Sequence, residues 1–432
     1  MASPQALRGT SDLLAADLVR WEAVERTVRA MARRYGYEEI RTPVIEEATL
    51  FLRSVGETTT IVQKEMFTFQ DRGERTIVLR PEGTAAVVRA YLEHNLHKTQ
   101  GFAKLFYLGP MFRAERPQAG RLRQFHQFGV EAIGSENPWL DAEVITLCLA
   151  MLKGCGLSDL TLLLSSMGCR KDQAESAKRL RQRLTPHRQD LCQDCQSRFD
   201  HNVFRVLDCK NPACHQLAWE AKGSPFVLCA DCQRHFDDVR QALRAVGITF
   251  DDTAVFARGL DYYTRTVFEI RSRKLGAKDA VAAGGRYDRL IEDLGGPSLG
   301  AIGFAAGIER LLLATSDGSP TEVPATRAGV YVAVTEAALL GQVFPVVQRL
   351  RERRVSVAVD YEGRSLKAQL READRLRSQC VAIFGERELK DRTVTVKDLE
   401  QGSQRTVSLE AFLDEAAQTL TSSCHHQAAK AR

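Results

Sequence analysis

The segment from Gly284 to Gly307 contains seven glycines in 24 residues, whereas average usage of about 7% predicts fewer than two. Glycine lacks a Cβ atom, so it allows sharp turns and the close approach of a ligand or of neighbouring backbone. The apolar share of 44% and the small net charge of +5 exclude a disordered chain. This segment therefore predicts a folded domain in which backbone turns sharply or approaches a ligand or another strand closely.

The length of 432 residues is enough for about three structural units. A membrane-spanning helix needs about 20 consecutive apolar residues, and the best candidate, Val144 to Leu152, ends at Lys153. The chain opens without a basic and then apolar leader. We therefore expect a cytoplasmic protein with no membrane partner.

Patterning divides the sequence into two domains and a tail. Residues 1–324 mix helix and strand patterns and are interrupted at about 168–247 by a polar, cysteine-rich insertion. Residues 316–327 contain Gly, Ser, Thr and two prolines, which is typical of a linker. In residues 325–420, short β-rich runs alternate with helical patterns, which predicts a three-layer α/β domain with a largely parallel sheet. Residues 421–432 are expected to fray.

Six of the eleven cysteines lie within the insertion. They are Cys192, Cys195, Cys209, Cys214, Cys229 and Cys232. Clustered thiols in a cytosolic protein favour metal ligation over disulfides. One hypothesis is a structural zinc site formed by Cys192, Cys195, Cys229 and Cys232, although six thiols exceed the four that tetrahedral zinc takes. The alternative is a set of ordinary reduced cysteines in a variable insertion.

A hairpin is the most informative part of the sequence. Phe102 to Arg113 is nearly continuous apolar sequence, typical of a buried strand, and a basic loop leads from it into an alternating run that ends at Ile133. Alternation places four polar or aromatic residues on one strand face: Arg123, Phe125, Gln127 and Glu131. This face is either a polar surface in water or the wall of a cleft. In a cleft, a zwitterionic or nucleotide ligand would pair the buried groups.

Three further segments combine glycine with arginine or tyrosine. They are Ala257–Thr264, Ala283–Asp288 and Gly303–Leu311. If the first is a strand, Arg258 and Tyr262 share a face. In the third, Gly307 and Arg310 are three residues apart on one predicted helix face. A flat ligand could lie over that glycine and under the arginine.

In this order the segments resemble those of class II aminoacyl-tRNA synthetases, and among them the bacterial histidyl-tRNA synthetase family. Glu39–Leu50 resembles motif 1 of the class, which is a dimer-forming element. Phe106–Glu131 resembles motif 2, and Gly303–Leu312 resembles motif 3. Leu79–Thr84 resembles the amino-acid-binding loop. The resemblance implies an α+β class II core, an antiparallel sheet flanked by helices, followed by a C-terminal three-layer α/β anticodon-binding domain.

The resemblance also implies an activity. ATP with Mg²⁺ would convert L-histidine to histidyl-adenylate and pyrophosphate, and the histidine would pass to the 3′ end of tRNA(His). The catalytic residues implied are Arg113, Arg258 and Arg310. Arg113 and Arg258 would contact the α-phosphate from opposite sides, while Phe125 and Arg310 would sandwich adenine. The expected assembly is a homodimer.

The remaining site residues also come from the resemblance. Those implied around histidine are Glu82, Gly83, Thr84, Arg113, Gln127, Glu131, Arg258, Tyr262, Tyr263 and Tyr287. Those implied around ATP are Arg113, Glu115, Arg121, Phe125, Gly307 and Arg310. The acceptor end of the tRNA would meet Arg116, Gln118 and Arg123. A basic helix of the C-terminal domain either contacts tRNA phosphates or forms a solvated face. Its residues are Arg364, Lys367, Arg371, Arg375 and Arg377.

An alternative function is the non-catalytic regulatory subunit of ATP phosphoribosyltransferase, a paralogue of the synthetases that would bind histidine without charging tRNA. By resemblance, such subunits typically lack the C-terminal domain and degrade the Arg-Gly-Leu-Asp-Tyr-Tyr stretch. Both are intact here, the latter at Arg258–Tyr263. The sequence therefore favours the enzyme.

Overall fold

Internal contacts divide the chain into two units, Met1–Gly318 and Ser319–Arg432. The structure is a computed structural model. The residues that it describes are 3–56, 59, 61–118, 120–200, 202–207, 209, 211–219, 226–253, 262–276, 279–315 and 329–420. The predicted linker and tail, and most of the segment around Arg258, lie outside these residues. No helix among the described residues is long and apolar enough to cross a membrane.

A seven-stranded sheet forms the centre of the first unit. The strands of this unit, within the described residues, are β1 (Glu38–Glu39), β2 (Ile45–Glu47), β3 (Phe67–Gln70), β4 (Thr76–Leu79), β5 (Ala103–Phe112), β6 (Gln124–Ile133), β7 (Leu160–Ser166), β8 (Thr264–Ser272), β9 (Ala280–Arg286) and β10 (Ala301–Gly307). The large sheet has the order β1-β5-β6-β10-β9-β8-β7, and β2-β4-β3 form a small second sheet. Only the pairing of β1 with β5 is parallel among the described strands of the large sheet. The predicted antiparallel core is therefore confirmed.

Helices cover the large sheet. Those described in the first unit are α1 (Ala15–Arg34), α2 (Ala48–Val55), α3 (Thr84–Glu93), α4 (Leu96–Thr99), α5 (Pro138–Gly154), α6 (Arg170–Leu184), α7 (Gln193–Phe199), α8 (Pro212–Trp219), α9 (Ala230–Ala245), α10 (Leu290–Asp293) and α11 (Ile308–Ala314). The apolar residues spaced three and four apart on α1, such as Trp21 and Val24, are buried in one core with α5 and with strand residues such as Phe128. Spacing of this kind is typical of a helix that buries one face.

The insertion joins two neighbouring strands. β7 and β8 pair in antiparallel register, and α6 to α9 lie between them in the sequence. Val239 and Leu243 of α9 belong to the same core as α5 and the large sheet. The last helix of the predicted insertion is thus part of the helical layer, because its apolar face is needed to cover the sheet.

The second unit has its own mixed sheet. Its described elements are β11 (Val330–Val334), α12 (Leu340–Glu352), β12 (Val357–Val359), α13 (Leu366–Arg375), β13 (Cys380–Phe384), α14 (Glu386–Lys390), β14 (Thr393–Asp398), β15 (Gln404–Ser408) and α15 (Leu409–Leu420). The order is β12-β11-β13-β14-β15. β11 pairs in parallel with β12 and β13, as the alternation predicted. β14 and β15 add an antiparallel edge, which the pattern of alternating strands and helices did not indicate.

Candidate active site

The hairpin of β5 and β6 carries the candidate site on one face. Gln127 of β6 lies opposite Gly109 of β5 on one side and Gly307 of β10 on the other. Glu131 is the register partner of Gly303 in β10, and a Cβ atom added at that glycine would overlap the carboxylate of Glu131. The density of glycine predicted a close approach in this segment, and at Gly303 that approach makes room for a buried carboxylate.

Glu131 lies at the centre of a group of buried polar side chains. Its carboxylate is fully buried and accepts hydrogen bonds from Thr84 Oγ1 at 2.7 Å and from the Tyr287 hydroxyl at 2.5 Å. Burial raises the pKa of the Glu131 carboxyl to about 8, because removal from water disfavours the charged form. A carboxyl of this kind can hold a proton at neutral pH and share it with a ligand.

A second carboxylate lies at the start of α3. Glu82 accepts hydrogen bonds from the backbone N–H groups of Thr84 at 2.7 Å and Ala85 at 2.9 Å, so the helix N-terminus orients it. Burial raises the pKa of the Glu82 carboxyl. A Cβ atom added at Gly83 would lie 2.5 Å from the ring of Tyr107, so glycine lets this loop approach the pocket.

Tyrosines surround the two carboxylates. The ring of Tyr262 lies 5.0 Å from that of Tyr263 and 5.8 Å from that of Tyr287, between centroids. Sequence reasoning missed Tyr107, whose buried hydroxyl has no hydrogen-bond partner within the described part of the chain. Tyr107 lies an even number of residues before Arg113, so in an extended chain the two share a face, and this spacing was the signal that could have found it. We call this set the carboxylate pocket: Glu82, Thr84, Tyr107, Glu131, Tyr262, Tyr263 and Tyr287.

A buried ion-pair network supports the pocket from behind. The fully buried guanidinium of Arg286 donates to Asp141 at 2.5 Å and to Asp288 at 2.9 Å. His235 Nε2 lies 2.8 Å from the other oxygen of Asp141. Arg286 ends β9 and directly precedes Tyr287, so the network holds the chain next to the tyrosine that donates to Glu131. Sequence reasoning assigned no role to Asp141 or His235.

Beside this pocket lies an open cavity of about 310 Å³. We call it the arginine cavity, and its charged and aromatic lining consists of Glu65, Arg113, Glu115, Arg121, Phe125, Arg205, Glu309 and Arg310. The guanidinium of Arg113 lies 5.2 Å from the centroid of the Phe125 ring, and its Nε donates to the Pro81 carbonyl at 3.0 Å. Phe125 and Gln127 line this cavity, and Glu131 further along the same strand forms the carboxylate pocket. Glu65 and Glu309 were not predicted.

Gly307 and Arg310 lie together at the edge of the cavity. A Cβ atom added at Gly307 would be 3.7 Å from the Arg310 side chain. The prediction of a shared helix face was wrong, because Gly307 ends β10 and caps α11. Burial and the nearby Arg121 both lower the pKa of Arg310. Space above a glycine and beside a guanidinium still suits a flat ring.

The predicted acceptor-end residues lie near the hairpin tip. Arg116 and Gln118 are exposed, and neither lines the cavity. Arg123 is half-buried, and its Nε has no hydrogen-bond partner among the described residues. Arg121 instead pairs with Glu115 at 3.1 Å. The remaining predicted cation, Arg258, lies outside the described residues.

Part of the predicted basic face of the second unit is paired internally. Arg364 donates to Asp360 at 2.6 Å, and Arg375 pairs with Glu372 at 2.5 Å. Lys367 and Arg371 are exposed one helical turn apart on α13.

The cysteines of the insertion form two separate groups. The first consists of Cys192, Cys195, Cys209 and Cys214, and the second of Cys169, Asp172, Cys229 and Cys232. The ligand atoms within each group lie within 4.8 Å of one another. The structure therefore splits the predicted zinc set, because spacing along the sequence reveals each C-x-x-C pair and not which pair folds against which.

The first group has the geometry of a thiolate site. Cys192 Sγ lies 3.7 Å from Cys209 Sγ, close to the edge of about 3.8 Å that Zn–S bonds of about 2.3 Å give a tetrahedron. Backbone N–H groups of Cys192 and Asn211 donate to Cys214 Sγ at 3.1 Å and to Cys209 Sγ at 3.4 Å. A hydrogen bond from the Cys195 backbone lowers the pKa of the Cys192 thiol. Such donors stabilise ligating sulfur.

The fold and the site together define a class of protein. A largely antiparallel sheet flanked by helices, with the carboxylate pocket and the arginine cavity along β6, followed by a separate α/β unit, is the architecture of class II aminoacyl-tRNA synthetases. A family model described as histidyl-tRNA synthetase matches residues 9–311, and one described as an anticodon-binding domain matches residues 329–419. The chain belongs to the histidyl-tRNA synthetase family.

Individual relatives agree with the family model. The histidine–tRNA ligase of Desulforamulus reducens is 46% identical over 93% of this chain and 96% of its own length. The crystal structure of apo histidyl-tRNA synthetase from S. aureus matches at a TM-score of 0.79 and 34% identity, covering 96% of this chain and all of that one. A structure described as an ATP phosphoribosyltransferase regulatory subunit/histidyl-tRNA synthetase from Bacillus halodurans matches at a TM-score of 0.61 over 88% of this chain and 98% of its own. Its identity of 21% indicates a shared fold alone, so the regulatory alternative is less well supported.

Proposed function

We propose that the first unit activates L-histidine with ATP and then transfers the histidine to the 3′ end of tRNA(His). Family membership over nearly the full length supports this reaction. The observation that carries the proposal is the face of β6, on which Phe125 and Gln127 line the arginine cavity and Glu131 forms the carboxylate pocket. One strand would thus hold the nucleotide and the amino acid side by side.

The carboxylate pocket would recognise histidine. Glu82 and Thr84 would face the ammonium group, with Gln127 nearby and Gly83 giving the loop its close approach. Glu131, Tyr262, Tyr263 and Tyr287 would surround the imidazole. A site built to hydrogen-bond a polar side chain rejects analogues without it by roughly 10⁴ to 10⁵.

The arginine cavity would bind ATP. A carboxylate oxygen of histidine attacks the α-phosphorus, a new P–O bond forms, and the bond to the β-phosphate breaks to release pyrophosphate. Arg113 would stabilise charge at the α-phosphate, and Phe125 and Arg310 would enclose adenine. Glu65 and Glu115 supply carboxylate oxygens of the kind that Mg²⁺ binds, and the bound ion would neutralise phosphate charge.

Transfer to tRNA and assembly complete the proposal. A terminal ribose hydroxyl of the tRNA attacks the adenylate carbonyl and displaces AMP, with Arg116, Gln118 and Arg123 near the acceptor end. Lys367 and Arg371 would contact phosphates through the second unit. The family's dimer-forming element and the 53% exposure of Ile45 within it support a homodimer. Light scattering of the full chain tests that assembly, and a monomer mass would contradict it.

Histidine-dependent ATP–pyrophosphate exchange with Mg²⁺ tests the enzyme directly. We expect exchange with histidine and, in a second assay, charging of tRNA(His). A folded protein that binds histidine without supporting exchange would overturn the proposal in favour of a regulatory subunit.

Arg258 is proposed as the second cation at the α-phosphate, on the strength of the family resemblance. Arg258→Ala should depress exchange strongly while histidine binding remains measurable. Exchange at the wild-type rate would exclude this role.

We also propose a structural zinc ion held by Cys192, Cys195, Cys209 and Cys214. The distances between sulfurs and the backbone donors to them support this assignment, which replaces the set expected from the sequence. The ten cysteines among the described residues are all free thiols. This accords with a reducing, cytoplasmic compartment. Cys209→Ser should lose one zinc equivalent during purification without chelator, and Cys155→Ser, outside both groups, should lose none.

A further inference from the structure

The second cysteine group lies where the insertion begins and ends. Cys169 lies between the end of β7 and the start of α6, and Cys229 and Cys232 lie at the start of α9. Asp172 completes the group, and the four ligand atoms lie within 4.8 Å of one another. Two stretches of chain that are about 60 residues apart in sequence therefore meet at one point.

The group is built from two similar halves. Cys169 is the N-cap of α6, with Asp172 three residues later, and Cys229 is the N-cap of α9, with Cys232 three residues later. Each half therefore points two ligand atoms from a helix N-terminus, where the backbone dipole favours negative charge. The two halves bring three sulfurs and one carboxylate together.

Backbone contacts fix the carboxylate in place. Asp172 Oδ2 accepts a hydrogen bond from the Cys169 N–H at 3.2 Å, and Oδ1 accepts one from the Cys229 N–H at 3.1 Å. Each oxygen keeps a lone pair for a further partner. Capping of α6 accounts for the bond from Cys169, whereas the bond from Cys229 joins two helices that are far apart in the sequence. Neither bond requires three thiols around the same carboxylate.

We propose that Cys169, Asp172, Cys229 and Cys232 bind a second zinc ion, separate from that of the first group. Three thiolates and one carboxylate form a complete four-ligand set for zinc, so this site is structural. The ion clamps the beginning of α6 to the beginning of α9 at the base of the insertion. It does not depend on the aminoacylation chemistry.

Hydrogen bonds connect the proposed clamp to the carboxylate pocket. Gln173 Nε2, next to Asp172 on α6, donates to the backbone carbonyl of Tyr263 at 2.9 Å. Arg265 follows that tyrosine by two residues. Its backbone N–H donates to the Gly168 carbonyl, and its carbonyl accepts a hydrogen bond from the Met167 N–H. Zinc at this point would therefore hold the strand and helix that flank the pocket tyrosines.

Metal content of the full chain tests the proposal. Protein purified without chelator, or reloaded with excess zinc and desalted, should contain about two equivalents. Cys229→Ser and Cys209→Ser should each lose one equivalent, the double variant should lose both, and Cys155→Ser should keep two. A wild-type content of one equivalent or less after reloading, or a Cys229→Ser variant that keeps two, overturns the second site.

A cobalt spectrum covers the case in which Cys229→Ser does not fold. Metal-free Cys209→Ser protein, loaded with Co²⁺, should still bind one equivalent. Its thiolate-to-cobalt charge-transfer band should be weaker per metal than that of the four-thiolate site, because one ligand is a carboxylate. No thiolate band in this variant, with one in the wild type, overturns the proposal.

Discussion

Strand β6 contributes residues to both the carboxylate pocket and the arginine cavity, yet the two differ in burial and in hydrogen bonding. In the pocket, Glu131 is fully buried and protein donors already occupy both carboxylate oxygens. In the cavity, Arg113 and Arg121 remain partly exposed to solvent. A buried pair leaves an unpaired polar group when one partner is removed, whereas exposed charges are solvated and screened. The pocket is therefore suited to discriminate a side chain, and the cavity to stabilise phosphate charge.

The largest effect is expected from the network behind the pocket. Asp141→Ala removes a carboxylate that pairs with fully buried Arg286 and with His235. Breaking a buried pair leaves an uncompensated charge, so we expect a loss of about 3–5 kcal/mol in the free energy of unfolding, measured by urea denaturation. Asp237→Ala breaks an exposed pair with Arg240 and should cost less than about 1 kcal/mol. Equal losses in the two variants would mean that burial does not distinguish these pairs.

Substitutions in the arginine cavity should lower the rate of ATP–pyrophosphate exchange and should not change the free energy of unfolding. Arg113→Ala removes a charge proposed to act at the α-phosphate, so the exchange kcat should fall by about 10²- to 10³-fold. Arg116→Ala, at the exposed tip, is the matched control and should leave exchange within about twofold, since surface charges are screened. Exchange by Arg113→Ala at the control rate would contradict the role of the cavity.

Local patterns predicted the strand face that contributes residues to both the carboxylate pocket and the arginine cavity. Alternation from Arg123 to Glu131 depends on neighbouring residues alone, and β6 follows it. Glycine density predicted close backbone approach, and Gly303 against the Glu131 carboxylate is that approach. The register that makes these two residues partners could not be read from either segment, because it depends on how the strands pair.

Long-range pairings explain what the sequence left open. Asp141 and Arg286 are 145 residues apart, and Asp141 lies in an apolar helical pattern that gives no sign of a buried partner. The cysteine pairs look alike along the chain, so the union of Cys229 and Cys232 with Asp172 follows only from the fold. The antiparallel edge of the second unit likewise depends on the return of the chain after β13.

Loss of a single hydroxyl tests how strictly the pocket is paired. Tyr287→Phe removes the hydroxyl that donates to Glu131 at 2.5 Å. A hydrogen bond to a charged or strongly polar buried group contributes about 1.5–3 kcal/mol, so KM for histidine should rise by roughly 10- to 100-fold. Tyr91→Phe, whose hydroxyl donates to the Gly101 carbonyl, should leave this KM unchanged. A wild-type KM in Tyr287→Phe would show that solvent or a ligand replaces the bond freely.

The smallest effect expected is a pH dependence of the carboxylate pocket. Burial raises the pKa of Glu131 from 4.5 to about 8. The contribution of this protonated carboxyl to the free energy of unfolding is therefore fully present below about pH 4.5. It is lost as the pH rises through about 8.

Histidine binding should follow the same proton. Free imidazole is neutral above a pKa of about 6.5, so a proton on Glu131 would be shared with the ligand between about pH 6.5 and 8. Above that range KM for histidine should rise by about tenfold for each pH unit as the proton is lost. In Glu131→Gln the side chain stays neutral, so KM should be higher but flat between pH 7 and 9. An equal rise in both proteins would place the titrating group elsewhere. The arginine cavity would then be the first candidate, because its charged groups are also proposed to bind substrate.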